Sequence, residues 1–75
     1  MAKLDPVLKA FGQSVRKFRD SKALSQEQLA EKADLDRTYL SDIERGTRNP
    51  GIKNVARLAK ALGIKTAKLT EGVDV

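Results

Sequence analysis

Arg37, Thr38, Ser41, Asp42 and Arg45 fall on the outward arc of one short helical segment when it is wound at about 100° per residue. Leu40, Ile43 and Glu44 take the inward arc with Asp36, and Tyr39 lies on the flank. Each outward type has a definite use against a polar edge. A guanidinium at the first turn, as at Arg37, can offer a two-pronged fork to guanine O6 and N7. Thr38 and Ser41 can bond a base edge or set a small group against a thymine methyl. Asp42 can accept from a cytosine amino group, or else simply repel phosphates. The alternative is the solvated face of a bundle helix, which would be polar as well, so the surroundings have to decide.

Those surroundings favour a polyanion. Gln26 opens the preceding segment, where its side chain and free backbone amides can clamp a phosphate. Arg45, Arg48 and Asn49 cluster where the third segment meets the next loop, placed to grip a nucleic-acid backbone. Tyr39 either turns its hydroxyl to a phosphate or packs its ring on the bundle edge. Arg16, Lys17 and Lys22 add background charge. Glu44, among inward residues, needs a partner, and Arg19 at the border of the first segment is the best placed. Such a pair is structural: losing either member of a buried pair costs roughly 3–5 kcal/mol.

The elements that must carry these residues are helices. The first opens at Asp5-Pro6, a capping side chain followed by proline at the first helical position, and ends near Ser21-Lys22. Val7, Leu8, Phe11, Val15 and Phe18 share one arc of it, with Arg19 on the border. The second starts at Ser25 with Gln28 three residues on, a capping box, and buries Leu29, Ala30 and Ala33. Asp34-Leu35-Asp36 turns the chain, Leu35 as an apolar plug and Asp36 as the next cap. The third helix spans Arg37 to about Arg45, stopped by Gly46. Residues 47–51 read as a loop. A fourth helix, about Ile52 to Leu62, is expected to bury Ile52, Val55, Leu58, Ala59 and Leu62, and Gly63 ends it. Thr66 is expected to cap a last helix, Ala67 to Glu71, before the tail from Gly72. The expected architecture is all-α, a five-helix bundle forming a single domain over residues 1–75, with a helix-turn-helix at about 25–45.

Composition narrows the function classes. The 75 residues suffice for one small domain, of a size that self-association often supplements. Fifteen Lys and Arg against ten Asp and Glu leave a net charge of +5, which favours a polyanionic partner without proving one. With no His and no Cys, the commonest general base and the softest metal ligands are missing. Neither a phosphate-cradling glycine loop nor a nucleophile elbow occurs. Neither catalysis nor a cofactor or metal is expected. The start, MAKLDP, lacks the apolar stretch of a secretory signal, no run approaches a membrane span, and the lack of cysteine fits a reducing cytoplasm.

Leu24-Ser-Gln-Glu-Gln-Leu-Ala-Glu-Lys-Ala, Leu35, Asp36-Arg-Thr-Tyr-Leu-Ser-Asp-Ile-Glu-Arg-Gly, Asn49-Pro50 and Leu58-Ala-Lys-Ala-Leu-Gly-Ile together resemble the Cro/C1-type (XRE) helix-turn-helix family. The resemblance covers roughly Phe11 to Glu71. It implies a lambda-repressor-like DNA-binding domain in which Gln26 touches a phosphate, Arg37, Thr38 and Ser41 read bases, and Arg19 pairs with Glu44. The stretch from Leu35 to Asn49 is most similar to controller proteins of bacterial restriction–modification systems. That implies small dimers activating or repressing their own operon, with Arg37, Thr38 and Tyr39 setting specificity. Gly51 departs from the pattern, standing where many relatives carry a Ser cap on the fourth helix.

The expected function is sequence-specific binding of a double-stranded DNA operator by a homodimer that regulates transcription, with RNA polymerase as a further partner and no membrane. An operator read this way is roughly palindromic, with half-sites about one turn apart. Glu27, Glu31, Asp34 and Asp42 form an acidic patch that suits polymerase or is merely solvated. Leu62, Ile64, Leu69 and Val73 either form the dimer interface or close the core. The competing class is a protein-interaction module, an antitoxin or adaptor on the same bundle, which would show an exposed apolar patch. A nonspecific nucleoid-type binder would need more lysine and no discriminating helix.

Overall fold

The computed structural model describes residues 5–73, so the ends of the chain, including the last two residues of the tail, lie outside it. Helix α1 spans Pro6–Ser21, α2 Gln26–Ala33, α3 Arg37–Arg45, α4 Gly51–Leu62 and α5 Thr66–Leu69, followed by a 3-10 turn at Glu71–Val73. No strand occurs among the described residues. Three of the helices start on the side chains expected to start them. Asp5 Oδ1 accepts the Val7 amide at 2.8 Å, and Asp36 Oδ2 accepts the Tyr39 amide at 3.2 Å. Ser25 and Gln28 form both halves of the capping box, at 3.0 and 2.8 Å. Each such cap is worth about 1 kcal/mol.

The helices bury one shared core. Val15, Leu29, Leu40, Ile43, Leu58, Leu62 and Leu69 are its fully enclosed large side chains, drawn from every helix. Helix α3 packs on α1 and α2, α2 on α4, and the C-terminal turn folds back on α1. Ser14 pins that return by donating to the Leu69 carbonyl at 2.6 Å.

Two glycines let α1 and α3 meet. Gly12 is buried against the end of α3, and a Cβ there would lie 2.5 Å from the Glu44 carbonyl oxygen. Gly46 ends α3 in the left-handed region, φ +78°, and a Cβ on it would come within 2.8 Å of Lys9 Cα. The turn residue Gly46 therefore meets a steric demand from α1 as well as a conformational one.

The bundle corrects the expectations for Ile52, for Leu62 and Leu69 as interface residues, and for Thr66. Ile52 is 75% exposed instead of buried, and Val7 is 39% exposed. Both stand in the first turn of their helices, at an end that no further element among the described residues covers. Leu62 and Leu69 are enclosed within the protomer, at 2% and 0% exposure, so they close the core and present nothing to a second copy. Thr66 does not cap: α5 already includes it, Lys65 holds the cap position without a side-chain bond, and the helix stops at Leu69. The Thr70 hydroxyl donates to the Thr66 carbonyl at 3.1 Å, and the 3-10 turn takes over.

Candidate nucleic-acid interface

Helix α3 is amphipathic along its whole length. Leu40 and Ile43 anchor one side in the core, which turns Arg37 and Thr38 to solvent and leaves Ser41 half-exposed. These three line one shallow concavity of about 250 Å³ together with Gln26 from α2 and Arg45 from the last turn of α3. The structure thus brings the expected base-reading trio and two of the expected phosphate contacts to a single surface. That surface carries two guanidiniums and no carboxylate along its lining.

A buried ion pair fixes this surface from beneath. Arg19 Nε donates to Glu44 Oε2 at 2.7 Å, and Nη2 donates to Oε1 at 3.0 Å, a bidentate fork. The side chains are only 12% and 4% exposed, and Arg19 Nη1 donates to the Leu24 carbonyl at 2.9 Å. The guanidinium is held above its ordinary value, chiefly by the hydrogen bond to Glu44, against the opposing effect of burial. Gln26 Nε2 then donates to Glu44 Oε1 at 3.1 Å. One carboxylate therefore joins α1, α3 and the first residue of α2. The capping box leaves the first-turn amides of Gln26 and Glu27 without a protein acceptor among the described residues.

The expected backbone contacts at the α3–α4 loop separate into two kinds. Arg45 and Arg48 are exposed cations, both paired with Asp42. Arg48 also lies over the Tyr39 ring, 5.2 Å from its centroid. Tyr39 takes the packed alternative: its one hydroxyl proton goes to the Pro50 carbonyl at 3.1 Å, and its oxygen accepts from Asn54 Nδ2 at 3.0 Å. A phosphate contact through that hydroxyl would have to break the bond to Pro50. Asn49 Oδ1 accepts the Gly51 amide at 3.2 Å, leading the chain into α4 where no side chain caps the helix itself. This is how the loop does without the serine cap.

Sequence reasoning missed Asn54, Pro50 and Gly12. Asn54 reads as one more polar residue on α4, and only its approach to Tyr39 reveals a role. For Asp42 the sequence admits a base contact, repulsion of phosphates or a place in an acidic patch. The structure instead places it as the shared partner of two arginines, and it is half-buried rather than part of an exposed acidic patch.

Residues 15–69 match the helix-turn-helix family pattern, which accounts for most of the bundle. Control protein C.BamHI of Bacillus amyloliquefaciens is 53% identical over 62 residues, covering 81% of this chain and 76% of that protein. The crystal structure of the restriction–modification controller protein C.AhdI from Aeromonas hydrophila superposes with a TM-score of 0.81 at 47% identity, covering 83% of this chain and 94% of that one. A TM-score of 0.81 at 37% identity also relates the chain to the controller protein C.Esp1396I, solved as a tetramer with its natural 35-base-pair operator, with 89% and 88% coverage. The extent of these matches, and their agreement with the surface on α3, place the chain in the Cro/C1-type (XRE) helix-turn-helix family, alongside restriction–modification controller proteins.

Proposed function

We propose that this protein is a sequence-specific DNA-binding regulator of transcription, acting as a homodimer on a roughly palindromic operator in the manner of a restriction–modification controller. The observation that carries the reading is the concavity on α3, where Arg37, Thr38 and Ser41 stand between Gln26 and Arg45. Polar groups able to read base edges are flanked there by groups able to seat a phosphate on either side. Arg37 reads guanine through its fork, and Thr38 and Ser41 read a neighbouring pair. Gln26, Arg45, Arg48 and the free Nδ2 of Asn49 position the backbone.

Two copies are needed to read a palindrome, and little apolar surface is left among the described residues to join them. Of the residues considered for that interface, Ile64 and Val73 are half-exposed. Val73 opens with Val7 and Ile52 onto a mostly apolar groove of about 220 Å³ at the start of α1 and α4. We assign the dimer contact to that groove. Contact with RNA polymerase would fall to Glu27, Glu31 and Asp34, the exposed acids of α2 and its following turn.

The protein-interaction reading calls for a broad apolar patch. Val7 and Ile52 are the only exposed large hydrophobic residues among those described, enough for a modest self-contact. A random duplex pool enriched on the protein at about 150 mM salt, repeated with Arg37→Ala, tests the proposal. The expected result is a palindromic consensus that degenerates at defined positions in the variant. Enrichment of no sequence by folded protein would favour the interaction module.

A further inference from the structure

Asp42 sits between two arginines at the edge of the base-reading surface. Its Oδ1 pairs with the Arg45 guanidinium, and its Oδ2 lies 3.8 Å from Arg48 Nη2. The Asp42 side chain is 19% exposed, whereas both arginines are well exposed. The backbone of the residue is fixed too, since its carbonyl accepts from the Thr47 amide at 3.0 Å and the Thr47 hydroxyl at 3.1 Å. Arg48 is held from a second direction by the Tyr39 ring, itself tied to Pro50 and Asn54. A guanidinium has five N–H donors, so each arginine keeps donors for a further acceptor while paired with the carboxylate.

We propose that Asp42 is a positioning residue that sets the ratio of operator binding to indiscriminate DNA binding. It holds Arg45 and Arg48 in one arrangement and offsets part of their charge. The inference rests on the reading of these arginines as phosphate contacts. A duplex docked in the correct register meets donors already in place, and gains from their preorganisation. A duplex in any other register must draw the arginines off Asp42, and it brings phosphates towards a carboxylate that repels them. Removing the negative charge therefore helps the wrong registers more than the right one.

The test compares wild type, Asp42→Asn and Asp42→Glu by fluorescence anisotropy across a salt series, on two probes. One is a random-sequence duplex of about three helical turns; the other is the duplex that wild type enriches from the pool. For Asp42→Asn, affinity for the random duplex is expected to rise roughly five- to tenfold, with the slope of log K against log salt steeper by about one. Affinity for the enriched duplex is expected to change less than about threefold, so the ratio falls, and Asp42→Glu restores most of it. An equal rise on both probes, or an unchanged affinity for the random duplex, overturns the proposal. Thermal melting checks each variant, and Asp42→Ser replaces Asp42→Asn should the latter not fold. Failure of wild type to prefer either probe would instead sink the DNA-reading function itself.

Discussion

Glu44 accepts two hydrogen bonds from Arg19, at 2.7 and 3.0 Å, while the same carboxylate takes the Gln26 side-chain amide at 3.1 Å. The pair is nearly closed from water, so its value depends on both members staying in place. Arg19→Met or Glu44→Leu alone is expected to cost about 3–5 kcal/mol, because each strands the other charged group in a dry site. Arg19→Met with Glu44→Leu is expected to recover much of that loss, since no buried charge remains. Urea unfolding of the four proteins measures this, and additive single losses would show that the two do not act as a pair.

The alkaline side of this pair has a definite sign. Arg19 is held above its ordinary value in the folded chain, mainly by its hydrogen bond to Glu44. The stability it brings is complete below the unfolded value and is lost only as pH rises through the folded one. The difference in unfolding free energy between wild type and the Arg19→Met/Glu44→Leu variant, in which no carboxylate is stranded, is therefore expected to stay level from neutral pH to about pH 10. A decline within that window would mean that the guanidinium is not what Glu44 holds.

The apolar double variant also separates folding from binding. It removes the carboxylate that orients Gln26 without touching Gln26 itself. We expect it to melt as a folded protein and yet to bind the enriched duplex about tenfold more weakly, the worth of a charge-assisted phosphate contact. Gln26→Ala in the wild-type background should lose a similar amount, and in the double variant nothing more. A further loss on adding Gln26→Ala to the double variant would place Gln26's hold on DNA outside its tie to Glu44.

Much of this site was legible in the amino-acid order because it depends on local geometry. The periodicity of α3 puts Leu40, Ile43 and Glu44 on one side, and the same projection puts Arg19 at the border of α1, so an inward carboxylate finds its cation. Caps at Asp5, Ser25 and Asp36 are equally local. What escaped depends on approach between elements. Ile52 has the right spacing to be buried, but nothing among the described residues packs over the first turn of α4. For Leu62 and Leu69 the order leaves core and partner surface both open, and the choice falls to the core only once α4, α5 and the C-terminal turn are seen to fold back together. Gly12 carries no signal by itself, since its need for a missing Cβ comes from the α3 carbonyls beside it.

That need yields its own expectation. Gly12→Ala would press a methyl group against the carbonyls of Ile43 and Glu44, which are backbone atoms and cannot swing aside. The helices have to separate, at a cost of about 1–3 kcal/mol that outweighs the gain in helix propensity from alanine. Thermal melting reads the loss directly. A variant as stable as wild type would show that α1 and α3 can slide apart freely.

Ile52 offers the sharpest test of how two copies meet. It is 75% exposed in the protomer and shares a mostly apolar groove with Val7 and Val73. A two-fold contact uses the same patch on both copies, so one substitution removes two side chains from the interface. Burial of an isoleucine is worth about 1.5–3 kcal/mol, which makes the pair worth roughly a hundredfold or more in the dimer constant. Ile52→Glu is a clean choice, because an acid in the first turn of α4 favours the helix and the residue is not part of the core. Sedimentation across a concentration series is expected to show a monomer where wild type is a dimer, with melting unchanged to within about 0.5 kcal/mol. Binding to a single half-site should survive while cooperative occupation of the full palindrome is lost. An unaltered dimer would move the interface away from this end of the bundle, leaving the exposed part of Ile64 as the next surface to change.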